Sequence, residues 1–159
     1  MTAGLDGQAW APAWGGVVRL GVGRGSFGLV LGVGGFWPTD TAIGGVRLRQ
    51  WRVPVDIGVR ATATTGRVSW YGEIGVVAAI LGERGLDLWA SKSGIALEIG
   101  GRLSLAARWE SSAKVAPFLA LSLDAIPNPP SVAALPMGTV GRTSYLWLGA
   151  CLGLSWGIR

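Results

Sequence analysis

The chain has 159 residues, half of them hydrophobic and only 14% charged, with a formal net charge of +5, no histidine and a single cysteine. That length suits one domain, and the charge is too sparse to cover an ordinary soluble surface, where about a quarter of the residues are charged. The longest uncharged apolar run near the middle, Ile74 to Gly82, falls far short of the about 20 residues that a spanning helix needs, which excludes helical membrane insertion.

The N-terminal stretch from Met1 to Asp6 has neither a basic region nor an apolar core, so no signal peptide is expected in it. Residues 1–13 read as a stub ahead of one domain over 14–159. The first strand-like segment runs from Trp14 to Gly23, with Trp14, Gly16, Val18, Leu20 and Val22 on one parity and Arg19 among glycines on the other. Arg24-Gly25-Ser26 reads as a tight turn into Phe27 to Trp37, whose apolar side is Phe27, Leu29, Leu31 and Val33. A longer loop is expected from Pro38 to Gly45. The segment from Val46 to Ala61 is the clearest: odd positions are Trp51, Val53, Val55, Ile57, Val59 and Ala61, and even ones are Arg52, Pro54, Asp56, Gly58 and Arg60. A period of two is a β-strand with one oily and one polar face.

Thr64-Thr65-Gly66 turns the chain into Arg67 to Leu81, where Val68, Trp70, Ile74, Val76, Ala78 and Ile80 oppose Ser69, Tyr71 and Glu73. A loop over Gly82 to Lys92 precedes Gly94 to Trp109, with Ile95, Leu97, Ile99, Leu103 and Leu105 against Glu98, Arg102, Ser104 and Arg108. Glu110 to Lys114 is a short turn, Val115 to Ala125 a strand, and Pro127 to Thr143 the longest loop. The last strand is Ser144 to Ile158. Seven segments therefore reach the 9 to 11 residues of a tilted membrane strand, and their connections alternate short and long as in outer-membrane barrels. The expected fold is all-β, an antiparallel up-and-down transmembrane β-barrel of eight-stranded type, with seven full strands and a short or missing first strand.

The same alternation suits a soluble barrel with its oily face inward. Three features favour lipid. Glycine crowds the polar parity, which suits a narrow lumen better than an exposed strand. Tryptophans fall at segment ends, with Trp14, Trp37, Trp51 and Trp147 at the loop ends and Trp70, Trp109 and Trp156 at the turn ends, as interfacial girdles require. Trp147 has inward parity in this register. No charge falls on the outward parity at any strand centre, although a soluble core would exclude charge too. Pro54 and Pro117 predict bulges or strand ends. The inward parity collects Arg19, Arg52, Arg60, Arg102 and Arg108 with Asp56, Glu73, Glu98 and Asp124. Buried charges must be paired, so a salt-bridged plug is expected.

In pattern and strand spacing, from Trp14 to Arg159, the chain resembles the eight-stranded outer-membrane barrels of Gram-negative bacteria, the OmpA and OmpX type. The closing stretch from Leu146 to Arg159 is similar to the terminal strand that the family's insertion machinery recognises, although the family usually ends on an aromatic residue and here the nearest is Trp156. The resemblance implies residence in the bacterial outer membrane, contact with the lipid bilayer and the insertion machinery, and no cofactor. Enzymes on such barrels use a histidine base, which this chain lacks; Asp56, Glu73 and Glu98 read as structural, and the expectation is a non-enzymatic protein. Gly21-Val22-Gly23-Arg24-Gly25 resembles part of a phosphate loop, but no helical pattern follows. Cys151 lacks partners for zinc, so no metal site is expected. The arginines are dispersed, which argues against nucleic acid. Arg47, Arg49 and Arg52 stand near an outer rim, where arginine suits lipopolysaccharide phosphates. A structural or surface-binding role with a side-chain-filled lumen is the leading expectation. The alternatives are a narrow channel or small-molecule carrier, and a soluble barrel binding an apolar ligand. Sequence leaves the oligomeric state open.

Overall fold

The structure is a computed structural model that describes residues 2–4, 13–43, 45–86, 93–110, 115–134 and 138–156. Its strands are β1 (Thr2–Gly4), β2 (Gly15–Arg24), β3 (Phe27–Ile43), β4 (Val46–Thr65), β5 (Val68–Gly85), β6 (Ser93–Trp109), β7 (Val115–Ala125), β8 (Ser131–Ala134), β9 (Gly138–Arg142) and β10 (Leu146–Trp156). No helix occurs among the described residues. Eight strands form one antiparallel up-and-down sheet in the order β1-β10-β7-β6-β5-β4-β3-β2, and β8 pairs with β9 separately. Seven strands are long; the eighth, β1, is a stub of three residues on the edge of β10. Among the described residues no ladder joins β1 to β2, so the sheet is not closed.

Local chemistry explains the hairpins. Gly25 and Gly66 sit in the β2–β3 and β4–β5 turns with φ of 67° and 60°, the left-handed conformation that tight hairpins require and a Cβ disfavours. The short turn expected over Glu110 to Lys114 lies mostly outside the described residues. Pro38 to Gly45 is not a loop: β3 continues to Ile43 and β4 starts at Val46, with Gly45 at φ 80° in the turn. The extension is held by its apolar residues, because Ile43, Val46 and Leu48 bury themselves against Val132 of β8 and Val140 of β9. The longest expected loop, Pro127 to Thr143, accordingly contains the β8–β9 hairpin. In the expected Gly82–Lys92 loop, β5 runs on to Gly85; residues 87–92 lie outside the described ones.

The two prolines act where their missing N–H matters. Beside Pro54, the β3–β4 partners pass from Val33–Val55 directly to Phe36–Arg52, and the register slips between Phe36 and Thr39. On the other side the β4–β5 ladder runs unbroken through Pro54–Ala79. Pro117 lies one residue past the end of the β6–β7 ladder at Arg108–Phe118, while it still faces Leu154 of β10. Both placements leave an absent donor on one side only.

The sheet is strongly rolled. Arg19 on β2 binds Glu73 on β5, and Arg52 on β4 binds Asp124 on β7, each three strands away in sheet order. On a flat sheet that separation is about 14 Å, too far for the contact. The polar parity therefore lines a concave interior and the apolar parity the convex outside: Val30, Asp56, Val77 and Glu98 are buried, whereas Leu20, Leu31, Ile57, Ile74, Leu103 and Leu154 are all more than half exposed.

Candidate functional site: a buried chain of charges

Alternation decides which side chains enter the interior, and small neighbours give them room. A Cβ on Gly32 would stand 2.4 Å from the Asp56 carboxylate, and one on Gly21 2.7 Å from the Arg60 guanidinium. Glycine at Gly32 thus leaves room for the buried Asp56 carboxylate, and at Gly21 for the end of the flexible Arg60 side chain, which would otherwise have to shift.

The eight candidate lumen charges form one continuous chain of alternating sign. Near the short turns, Arg60 Nε donates to Glu73 Oε1 at 2.8 Å. Glu73 also accepts from Arg19, whose Nη2 donates to Asp56 Oδ1 at 3.0 Å. Asp56 accepts in turn from Arg102. Arg102 grips Asp124 with two parallel bonds, Nε to Oδ1 at 2.6 Å and Nη2 to Oδ2 at 2.7 Å. Arg52 Nη1 donates to Asp124 Oδ2 at 3.0 Å, and its Nε donates to Glu98 Oε2 at 2.9 Å. At the far end Thr143 Oγ1 donates to Glu98 Oε1 at 3.2 Å. Four cations and four anions sum to zero along this chain, and Glu83, on the inner parity of β5, stands outside it and accepts from Gln50 Nε2 at 3.0 Å. Forked arginine–carboxylate pairs are the strongest class of such contacts. Arg108, the remaining inward arginine, pairs with Glu110 at 3.5 Å near the turn end, where Ser69 also donates to Glu110 at 2.8 Å.

Trp147 belongs to this interior and not to the outer girdle. It is 6% exposed, packs with Val77 and Ile126, and stacks on the Arg52 guanidinium with 4.9 Å to the ring centroid. Its parity on β10 is the reason: Leu146 and Leu148 point outward on either side of it. The other six candidate interface tryptophans face outward. Trp14, Trp37, Trp70, Trp109 and Trp156 are exposed, and Trp51 lies half-buried across Gly82, where a Cβ would be 2.1 Å from the indole. Trp37 N–H donates to the Trp14 carbonyl at 2.7 Å, which sets those two side by side. Of the three rim arginines, Arg47 and Arg49 are exposed, whereas Arg52 is buried in the charge chain.

Each carboxylate in the chain is held by at least one guanidinium. The partly open space beside Arg19, Asp56, Glu73, Arg102 and Ser104 is about 10 Å³. That is room for one water, and Ser104 Oγ is a buried polar atom with no protein partner there. Among the described residues no group of three or more histidine, cysteine, aspartate or glutamate side chains could hold a metal ion. The sequence signal for all this was parity alone. What parity did not reveal was that Thr143, from the β9–β10 connection, caps one end of the chain and that the β8–β9 hairpin packs against the extended ends of β3 and β4.

No family model matches the chain, and no curated protein and no solved structure matches it either. The site is therefore read on its own geometry.

Proposed function

We propose that this chain is an integral outer-membrane β-barrel protein with a filled polar interior, and that its role is structural or surface-binding and not catalytic. One observation carries the reading: the molecule is inverted relative to a soluble protein, with its charges on the concave face and its apolar residues on the convex one. On β3 to β6 and on β10, outward positions from Trp37 and Trp51 at one end to Trp70, Trp109 and Trp156 at the other carry no charged residue, and on β2 the one outward charge is Arg24, beside the turn. A soluble fold cannot expose so large an apolar patch without associating, whereas lipid solvates it and the tryptophans mark its two interfaces.

An interior of interlocked ion pairs supports a plug over a channel, since eight strands leave little more than side-chain space. The outer rim is the part left for recognition, and exposed Arg47 and Arg49 suit lipopolysaccharide phosphates there. Terminal strand β10, with Leu152, Leu154 and Trp156 outward, offers the alternating face that the outer-membrane insertion machinery would read.

Partition of the purified chain tests the reading. Refolded into phospholipid vesicles, it is expected to co-float with them and to resist extraction by high salt or alkali. A monodisperse monomer in detergent-free buffer overturns the membrane assignment and favours a soluble barrel. Conductance above leak in a planar bilayer overturns the plug and favours a channel.

A further inference from the structure

A single row of outward positions crosses four strands just beyond Trp51, toward the β3–β4 hairpin. Asp40 of β3 stands opposite Arg49 of β4, Arg49 opposite Arg84 of β5, and Arg84 opposite Ser93 of β6. All four are exposed. The next outward row toward the strand centres is Trp51, Gly82 and Ile95. It carries no charge, and the Trp51 indole lies over Gly82. Two residues along a strand cover about 7 Å, so the surface passes from apolar to charged within that distance. In the membrane setting proposed above, the charged row stands at the height of the lipid headgroups, because interfacial tryptophan marks the boundary.

Two guanidinium groups on one rung are out of balance with their surroundings. Directly opposed residues have Cβ atoms about 5 Å apart, and like charges so placed repel. One carboxylate serves the pair. Asp40 takes both bonds of the Arg49 fork, from Nε at 2.8 Å and Nη2 at 3.2 Å, while Arg84 has no ion pair with a described residue. Arg47, two positions further along the same face of β4, also acts on Asp40 and leaves the face more positive. We propose that Arg49 and Arg84 together seat one phosphate monoester, with Asp40 as the built-in competitor for Arg49. The proposal rests on the membrane reading and deepens it, by naming the headgroup chemistry that this rim recognises. A monoester presents three oxygens and close to two negative charges, so one guanidinium can fork onto two oxygens while the other takes the third. A diester offers two free oxygens and a single charge. Ser93 adds a hydroxyl donor on the rung beside Arg84.

Arginine Nε–H signals of the full chain, followed by NMR in a neutral sugar-headed detergent, read the seat directly. The probes are phosphatidic acid, a monoester lipid, then charge-matched phosphatidylglycerol, a diester, and inorganic phosphate. Phosphatidic acid is expected to move the Arg49 and Arg84 signals together and to bind about tenfold more weakly to Arg84→Gln. It is expected to bind up to about fivefold more tightly to Asp40→Asn, which frees Arg49 from an exposed pair. Arg142→Gln lies off the row, on the hairpin that packs against the ends of β3 and β4, and is expected to bind as the parent does. An unchanged unfolding midpoint in Arg84→Gln shows that the loss belongs to the seat and not to the fold. Equal binding by Arg84→Gln and the parent overturns the proposal, as does equal weakening in Arg142→Gln. An equal response to phosphatidylglycerol overturns it too, since that is attraction to surface charge alone, and no gain in Asp40→Asn removes Asp40 as the competitor. Inorganic phosphate bound as tightly as the lipid keeps the two-arginine seat and makes its ligand soluble. Flotation with neutral phosphatidylcholine vesicles separates this from the membrane reading: insertion without a phosphatidic acid response keeps the membrane and rejects the seat, and a response without insertion does the reverse.

Discussion

Single residues in the interior act through their neighbours. Arg102 holds both Asp56 and Asp124, so Arg102→Ala removes a guanidinium from two buried carboxylates, leaving Asp56 with Arg19 alone and Asp124 with Arg52 alone, and is expected to destabilise the protein by up to about 3–5 kcal/mol, the cost of breaking a buried pair. Chemical denaturation in the same lipid or detergent checks this, with Arg60→Ala as the comparison. Arg60 touches one carboxylate at the more open end, and its loss should cost clearly less. Outside the belt, Arg49 forms a forked pair with Asp40 on the β3–β4 extension, and that hydrogen bond holds the Asp40 carboxyl below its usual range. A carboxyl depressed in the folded state contributes stability above its unfolded value and loses it as pH falls through the folded one. Both groups are fully exposed, so the contribution is small. In Arg49→Gln the Asp40 titration, followed by NMR, is expected to move up toward an ordinary aspartate; an unchanged midpoint would show the pair is not formed.

At the scale of elements, alternation located seven strands to within a few residues at most ends, and β7 at Val115–Ala125 coincides with its expected bounds. The ends that moved did so through contacts distant in sequence. Pro38, Thr39 and Asp40 read locally as loop residues, yet Ile43, Val46 and Leu48 gain a partner in Val132, about 85 residues on, and the hairpin stays extended because burial of apolar side chains outweighs turn propensity. Val132→Asp places a charge in that cluster. It is expected to release the β8–β9 hairpin to limited proteolysis within 131–142 while the main sheet keeps its unfolding midpoint. Loss of the whole sheet instead would mean that the hairpin is part of the cooperative core.

For the whole molecule the outer surface decides the solvent. Leu31, midway between Phe27 and Gly35 on the outward face of β3, is 51% exposed with no charge nearby on its face. In the proposed membrane setting Leu31→Arg is expected to cost about 2–4 kcal/mol in vesicles, and little in an aqueous fold, where an exposed arginine is harmless. Comparing unfolding in lipid with unfolding in a small, mobile detergent micelle reads this difference, and equal stability of the two chains in lipid would count against burial of β3 in a bilayer.

Sequence alone determined the period of two, the parity of each side chain and hence the two chemical faces, because strand geometry fixes them residue by residue. It also determined the inward parity of Trp147, which the structure bears out. Parity could not decide which face is concave. Rolling of the sheet settles that, by bringing Arg19 to Glu73 and Arg52 to Asp124 across three strands. Only tertiary structure could link the eight charges in one order, cap them with Thr143 and extend β3 and β4 beneath the β8–β9 hairpin. These are contacts between residues tens of positions apart, and their energies depend on distance in space, which local sequence does not carry.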